Sequence, residues 1–404
     1  MNGEIVMGQI EGIKNYKVYK MSLTTLSPIF IGSGETLNKS AYFYFGKEVN
    51  VIDEKKLVKL LRSRRGLFEE FMSYASAGNL NLTKFLENNI PNFKNLDISK
   101  YKLMYHSNAI TTKGKKGLNG INTFIKSSNG KPYIPGSSIK GFIRTALIAS
   151  EIRKNKDRYT DFFNSKRKLK DLDVLEDMAL SNIFTEVLDK SNFKFSEKDF
   201  SDFKDNPNIL FKFFMVSDSD EVSLDKLFVG KQYDFTTKTN TVKSLPIFME
   251  FIRPLTTFNF TITIDKSIVD YFDISLISKI LTDYFKQYTD IIDCIYEYAK
   301  IKSDLDLKDI LTLNEEKDKF PPNSFLGGHD GYFTKNILYS LCKFKDDGIE
   351  KEKIINLLKA HFFAKHNHYK HDKVISPRTM KLTMYNDKYY NIGVCNIKVE
   401  EELC

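Results

Sequence analysis

Alternating apolar and polar residues predict strands in several parts of the chain. The alternation is regular over residues 19–24 and 258–264, where every second side chain is apolar. A period of two places those apolar side chains on one face, so both segments are expected to be half-buried strands. The same pattern predicts strands at 103–110, at 211–216 and within 227–264, and hairpins over 42–52, over 122–134 and from 380–384 to 392–399.

Other segments repeat apolar residues every three or four positions, which is the spacing of an amphipathic helix. The clearest covers residues 138–153, and Pro135, Gly136 and Ser137 mark its start. Further helices are predicted at 54–64, 274–302, 335–342 and 352–365, with a helical insertion over 66–100 and a charged linker or solvated helix over 153–173. Strands and helices in this mixture predict an α+β fold.

Chain length bears on the number of domains. With 404 residues, the chain exceeds the size at which a single hydrophobic core usually keeps growing. Residues 1–210 and 211–404 are therefore expected to form two domains. Hydrophobic residues make up 42% of the chain, and 33 Phe and 21 Tyr with no Trp predict a phenylalanine-rich interior.

Charge and cysteine content narrow the function. The 61 Lys and Arg exceed the 52 Asp and Glu, and the net charge of +9 favours a polyanionic partner. The alternative is that the chain is simply lysine-rich and that its excess positive charge is distributed thinly, without a binding patch. The four cysteines form no CxxC pair, which argues against a zinc ribbon or a disulfide framework. No signal peptide or bilayer-length apolar run is evident, so we expect a soluble, cytoplasmic protein with no membrane partner.

The start of the helix at 138–153 is the strongest candidate binding element. The first-turn amides of a helix have no partners within the helix and carry the positive end of its dipole, so they favour an anion. Two cations one turn apart would flank a bound phosphate, and a glycine would allow a close approach. An ordinary helix cap with two surface cations is the alternative. The expected site comprises Gly136, Ser137, Ser138, Lys140, Gly141 and Arg144.

Glycines and cations in other loops extend this prediction to a long polyanion that is tracked across several connections. The expected contacts are Gly32, Ser33 and Gly34, an exposed basic loop with Lys113, Lys115 and Lys116, the turn at Gly327, Gly328 and His329, and the cations Arg378 and Lys381.

Three motifs resemble those of the RAMP proteins of CRISPR systems. They are LSPIFIGSGE at 26–35, IPGSSIKGFIRT at 134–145 and the glycine-rich FLGGHDG at 325–331. The length, the position of ISPRTMKL at 375–382 and the short C-terminal hairpin are most similar to the fifth Csm subunit of type III-A effector complexes. The resemblance covers about residues 16–399, without matched motifs at 54–100 and 153–210.

The resemblance implies two ferredoxin-like, RRM-type domains of the RAMP kind with helical insertions. It implies a subunit without cofactors that caps the crRNA 3′ end, contacts the backbone RAMP subunit and the small subunit of the Csm complex, and supports crRNA 3′ maturation by recruiting host nucleases. The motif residues at 136–144 and 32–34 are then implied to hold crRNA phosphates. Helix-terminus amides read charge and shape but not bases, which suits a subunit that accepts any spacer sequence.

Histidines are the first candidates for ribonuclease chemistry. Four of the six lie close together, but their spacing matches no zinc motif, and nearby lysines would repel a cation. We interpret this cluster as a helix end with polar side chains. It consists of His361, His366, His368 and His371.

Three other segments have residues suited to catalysis or metal binding. His106 lies in a strand pattern and is expected to be packed or at the surface, whereas His329 precedes Asp330 in a glycine turn. Asp218 and Asp220 follow a strand and resemble a divalent-metal cluster, although Asp often ends strands. We predict no metal site and no intrinsic catalysis.

Two other functions remain open at this level. One is a RAMP-type endoribonuclease that processes pre-crRNA through His106 or His329. The other is a backbone RAMP subunit that cuts target RNA with a loop aspartate. The length of the chain and the lack of an alignable aspartate argue against the second.

Overall fold

A computed structural model describes residues 15–106, 117–159, 172–190, 207–302, 319–342, 349–361, 367–372 and 375–403. The strands are β1 Tyr16–Thr25, β2 Gly32–Leu37, β3 Tyr42–Phe45, β4 Glu48–Ile52, β5 Ser99–Tyr105, β6 Ile121–Phe124, β7 Phe214–Val216, β8 Leu227–Thr236, β9 Thr241–Ile252, β10 Thr257–Asp265, β11 Ser324–Phe325, β12 Thr379–Tyr385, β13 Lys388–Asn391 and β14 Val394–Glu402. The helices are α1 Glu54–Ser63, α2 Leu67–Ser76, α3 Leu82–Asn89, α4 Gly136–Lys154, α5 Leu172–Lys190, α6 Ile274–Lys302, α7 Ile349–His361 and α8 His368–His371.

The first sheet has the strand order β11-β14-β1-β10-β7, and all its pairs are antiparallel. The predicted strands at 19–24 and 258–264 are confirmed and are neighbours, with Met21 opposite Phe260 and Leu23 opposite Phe258. These apolar side chains are buried, and the alternation of burial holds in β10, whereas in β1 the polar Ser22 and Thr24 are buried as well.

The second sheet has the order β2-β6-β9-β8-β5-β4-β3, with β12 paired to β8 and β13 to β12. Two of its pairs, β5 with β8 and β6 with β9, are parallel. Both sheets contain strands from either side of residue 210. The α+β class is confirmed, whereas the two RRM-type domains and the division at residue 210 remain predictions.

The three predicted hairpins have different outcomes. The hairpin over 42–52 is confirmed as β3 and β4. In the second, only a bridge between Lys126 and Pro132 remains, because β6 pairs with β2 and β9 instead. The C-terminal hairpin is wrong: β12 pairs with β13 through a turn at Asn386 and Asp387, whose φ values of 48° and 60° suit a tight hairpin, and β14 joins β1.

The predicted helices at 54–64, 138–153 and 274–302 are confirmed as α1, α4 and α6. The helix at 335–342 is wrong, since two short 3₁₀ helices occupy Phe333–Lys335 and Leu338–Leu341. Asn336 Oδ1 lies between them and accepts a hydrogen bond from Leu338 N at 2.7 Å, which interrupts a regular helix. The last predicted helix begins earlier than expected, as α7, and its residues beyond 361 lie outside the described chain.

The helices α2 and α3 form the insertion predicted over 66–100, and together with α1 they have a hydrophobic core of their own. Leu57, Leu61, Phe85 and Leu86 pack there against Phe43 of β3. The side chain of Asp53 caps the amino end of α1. No helix in the described ranges is long and apolar enough to cross a membrane.

A buried carboxylate joins three strands of the second sheet. Glu250 in β9 is completely buried, and it accepts hydrogen bonds from Tyr101 Oη at 2.7 Å and Phe124 N at 2.9 Å. It also forms an ion pair with Lys126, whose side chain is only 15% exposed. Glu250 thereby holds β6, and with it the first residue of β2, in register with β9.

Removing one partner of a buried ion pair leaves the other charge without compensation, which typically costs about 3–5 kcal/mol. We therefore expect Glu250→Ala to lower the free energy of unfolding by about that amount in urea denaturation. The control is Lys102→Ala, which breaks the exposed Lys102–Glu48 pair on neighbouring strands and should cost less than about 1 kcal/mol. Equal losses in the two variants would contradict this role of Glu250.

Candidate RNA-backbone site

Two glycine-rich segments from opposite ends of the chain meet at Phe30. The Gly328 amide donates a hydrogen bond to the Phe30 carbonyl oxygen at 2.7 Å. At Gly327, a Cβ atom would lie 2.1 Å from the same oxygen, and the φ angle is +100°. Only glycine fits this backbone approach without strain. The turn at 327–331 therefore lies directly beside Phe30, two residues before Gly32.

Backbone and side-chain contacts fix this glycine-rich turn. The Leu326 amide donates to the Gly393 carbonyl at 2.8 Å, and the Gly393 amide donates to the Pro28 carbonyl at 3.0 Å. Lys335 donates to the Gly327 carbonyl and forms an ion pair with Asp330 at 3.0 Å. Burial raises the pKa of the Asp330 carboxyl, and Lys335 opposes that rise.

Gly32, Ser33 and Gly34 begin β2 and are all exposed. The Ser33 hydroxyl is 2.6 Å from Thr123 Oγ1 and accepts a hydrogen bond from the Glu35 amide at 3.1 Å. Gly34 has a φ angle of +87°, and nothing lies within 4 Å of its Cβ position. The segment is an exposed, irregular strand start whose neighbouring backbone is open to a ligand.

His329 and Lys381 lie next to this junction. The exposed His329 has a φ angle of 59°, and its Nδ1 is 2.8 Å from Oε1 of the buried Gln232. The pKa of His329 is lowered, first by protein atoms that displace water and then by Lys381. Lys381 forms an ion pair with Asp234 at 2.7 Å. The structure thus brings Gly32–Gly34, Gly327–His329 and Lys381 into one region.

The amino end of α4 differs from its prediction. The Gly136 amide donates to Asp218 Oδ1 at 2.8 Å, and a Cβ atom at Gly136 would lie 2.3 Å from the Val216 carbonyl oxygen. The Ser138 amide donates to the Pro135 carbonyl at 2.9 Å. The prediction of unpartnered first-turn amides is therefore wrong at both residues, because Gly136 already binds a carboxylate of the same chain and Ser138 a backbone carbonyl.

The two cations of α4 have partners within the chain. Lys140 Nζ donates to the Phe211 carbonyl at 2.6 Å, and partial burial lowers the Lys140 pKa. Arg144 forms an ion pair with Glu176 of α5 at 2.9 Å. Ser137 and Gly141 are exposed, with open space around Gly141. RNA contact by this segment remains a prediction.

Arg378 is placed less favourably than the residues at the junction. Arg378 forms an ion pair at 2.8 Å with the fully buried Asp372, and its side chain is 13% exposed. The loop residues Lys113, Lys115 and Lys116 lie outside the described residues.

The candidates for catalysis or metal binding have structural contacts. The His106 ring packs on Tyr385 with centroids 4.6 Å apart, which confirms a packed histidine. Asp218 holds the Gly136 amide, and Asp220 accepts from the Asn259 amide at 2.8 Å. Within the described part of the chain, no three His, Cys, Asp or Glu residues lie close enough to hold a metal ion.

Two members of the histidine cluster have defined neighbours. The buried His368 is 2.8 Å from Asp372, and His371 Nε2 is 3.2 Å from Lys238 Nζ. The side chains of His361 and His366 lie outside the described residues.

Comparison with known proteins identifies the family. A family model for the RAMP superfamily matches residues 22–299. The chain belongs to the RAMP superfamily. It is 30% identical over 258 residues to "CRISPR system Cms protein Csm5" of Streptococcus thermophilus, a match that covers 62% of this chain and 64% of that protein. It is 22% identical over 403 residues to the protein of the same name from Mycobacterium tuberculosis, covering 95% and 98% of the two chains.

Two solved structures share the fold of this RAMP protein. One is a chain of a cryo-EM structure of a Csm–crRNA–target RNA ternary complex of a type III-A CRISPR–Cas system, with a TM-score of 0.60, 19% identity and coverage of 94% and 100%. The other is the crystal structure of T. onnurineus Csm5, with a TM-score of 0.54, 17% identity and coverage of 93% and 99%. The resemblance expected from the three motifs is confirmed.

The residues that hold the RAMP glycine turn in place were missing from the sequence prediction. Phe30 lies within the first motif, and that motif is the sequence signal that could have identified it. Gln232, Asp234 and Lys335 lie outside every motif and reach the site only through β8 and the segment after the turn.

Gly327 and Gly328 allow a matched test of this junction. Gly327→Ala is expected to lower the free energy of unfolding by about 1–3 kcal/mol, because the new methyl group meets the Phe30 carbonyl at a positive φ angle. Gly328→Ala meets no atom within 4 Å and should change stability by less than about 0.5 kcal/mol. Urea denaturation measures both. If Gly327→Ala leaves the free energy of unfolding unchanged, the tight packing of Gly327 on Phe30 is contradicted.

Proposed function

We propose that this chain is the RNA-binding subunit of a type III-A CRISPR effector complex, the Csm complex, and that it holds the sugar-phosphate backbone of the crRNA at its 3′ end. The observation that carries the proposal is the junction at Phe30, where Gly327 and Gly328 lie beside the exposed Gly32–Gly34 segment. Glycine backbone without side chains allows a polynucleotide to approach closely. Lys381 lies nearby, and Asp234 balances its charge.

The partners in this proposal are crRNA, the backbone RAMP subunit and the small subunit. Support comes from the names of the relatives and from the likeness to a chain of a Csm–crRNA–target RNA complex. Capping of the crRNA 3′ end, recruitment of host nucleases for its maturation, and a cytoplasmic location belong to the proposal. Contacts to the backbone carry no base information, which fits a guide whose sequence varies.

The geometry favours RNA holding over RNA cutting. General acid–base cleavage needs a histidine that can move a proton at the scissile phosphate. His329 Nδ1 is engaged by Gln232, and its neighbour Asp330 is buried with Lys335 rather than directed at the imidazole. The His106 ring packs against both Phe228 and Tyr385. We therefore propose a non-catalytic subunit.

A negative charge introduced at Gly328 tests whether RNA binds at the glycine-rich turn. Gly328→Asp is expected to weaken binding of fluorescein-labelled single-stranded RNA roughly tenfold or more, since repulsion of a phosphate costs about 1.4 kcal/mol or more. Gly328→Ala is the control for the added carbon atom and should bind nearly as the unmodified protein does. The loss should be the same for RNAs of different sequence. Equal affinity of the Asp and Ala variants would refute a backbone site at this turn.

The cellular role has its own test. Effector complexes assembled without this chain should carry crRNA with longer, heterogeneous 3′ ends, and unmodified protein should restore the mature lengths.

A second experiment tests for catalysis: purified protein is incubated with repeat RNA, with and without a chelator. Specific cleavage that His329→Ala abolishes would overturn the non-catalytic proposal and support the processing endoribonuclease.

A further inference from the structure

A group of cationic side chains lies at one end of the pairing between β8 and β12, outside the glycine-rich junction. Lys238 follows β8, Lys370 and His371 belong to α8, and Arg378 precedes β12. The Thr237 amide donates to the Arg378 carbonyl at 3.1 Å, which joins the two strand ends. We call Lys238, Lys370, His371 and Arg378 the basic cluster.

Only part of the charge of the basic cluster is balanced within the chain. The carboxylate of Asp372 is fully buried and contacts Arg378 and His368, each at 2.8 Å. Lys238 and Lys370 are exposed, and neither contacts a carboxylate among the residues that the structure describes. Two uncompensated ammonium groups beside an imidazole are suited to binding an anion.

The environment of His371 couples anion binding to protonation. The pKa of His371 is lowered by partial removal from water and then by Lys238, Arg378 and Lys370, whereas Asp372 opposes the shift. The neutral Nε2 can accept a hydrogen bond from the Lys238 ammonium group, 3.2 Å away. A bound anion would offset the repulsion among these cations and favour the imidazolium form. Binding would therefore take up a proton.

We propose that the basic cluster binds a phosphodiester group of the same RNA strand that occupies the glycine-rich junction. The inference rests on the proposed function and extends it to a second contact. Gln232, the partner of His329, and Thr236, next to the cluster, are four residues apart in β8, which is roughly 13 Å at about 3.3 Å per residue. About four phosphates cover that distance in a stacked strand at roughly 3.4 Å per charge.

A nucleic acid strand fits this arrangement better than an acidic peptide does. Lys381 pairs with Asp234 of β8 between Gln232 and Thr236, and the Asp234 carboxylate balances its charge at 2.7 Å, so the uncompensated charge lies at the basic cluster. A regularly spaced polyanion can bridge the glycine-rich junction and the basic cluster, whereas a peptide has no such fixed charge spacing. An acidic peptide is one outcome that the experiment can detect.

The salt dependence of RNA binding tests the two lysines. Binding of fluorescein-labelled single-stranded RNA of mixed sequence to the full chain is measured over a range of KCl concentrations. Lys238→Ala/Lys370→Ala should reduce the slope of log affinity against log salt by about 1.4, at about 0.7 for each phosphate that is no longer neutralised. Lys59→Ala/Lys94→Ala removes two exposed lysines from the helical insertion and should leave the slope unchanged. Equal slopes for the two double variants would overturn the proposal.

The pH dependence of RNA binding tests His371. As the pH falls from about 7.5 to about 5.5, across the usual histidine range, affinity should rise because binding takes up a proton. His371→Gln should lose much of this rise in affinity, whereas His329→Gln should retain the contribution of His371. A His371→Gln variant with the full pH dependence would contradict the inference.

The outcomes separate this inference from the proposed function. If Gly328→Asp weakens RNA binding and the lysine variants do not change the slope, only the basic cluster fails. If the lysine variants reduce the slope and Gly328→Asp has no effect, the glycine-rich site fails and RNA binding at the cluster stands. A labelled polyglutamate peptide that binds in a lysine-dependent manner, with RNA binding unchanged, would replace RNA by an acidic protein partner. An absence of RNA binding by the unmodified protein would overturn both.

Discussion

The carbonyl groups of Pro28 and Phe30 bind amides that lie 365 and 298 residues further along the chain. Pro28 accepts the Gly393 amide, and Phe30 accepts the Gly328 amide. Between them, Ile29 exchanges two backbone hydrogen bonds with Ile252 at the end of β9. Buried backbone groups need such partners, so this short segment fixes where the chain leaves the first sheet and enters the second. The exposed glycines of the candidate site directly follow it.

Carboxylates organise the surroundings of this segment. The buried Glu250 fixes the strands that carry β2, the buried Asp330 pairs with Lys335 beneath the glycine turn, and the exposed Asp218 holds the start of α4. The two buried charges are matched by amides or cations of the same chain, as burial requires. Cations without such a partner are therefore the candidates for binding an anionic ligand. Lys238 and Lys370 have this character within the described residues, whereas Lys140 and Arg144 have partners.

This distribution changes the picture of how a RAMP protein of this kind would hold RNA. A helix amino end supplies several aligned amides, but at α4 the Asp218 carboxylate already occupies that position. The glycine-rich junction instead offers exposed backbone with few side chains, and Lys238 and Lys370 lie at the end of the β8–β12 pairing. Affinity would then come from close backbone approach and dispersed charge, which suits a ligand of variable sequence.

The sequence alone determined the local elements and the family. The period of two located β1 and β10, the three-to-four spacing located α4 and α6, and two glycine-rich motifs pointed to a RAMP protein because these signals depend only on neighbouring residues. Tertiary structure alone decided that β14 pairs with β1 rather than with β12, since strand pairing depends on distant partners. It also decided which cations are matched by carboxylates. Asp218 and Glu176 lie 82 and 32 residues from their partners, and no local pattern records such contacts.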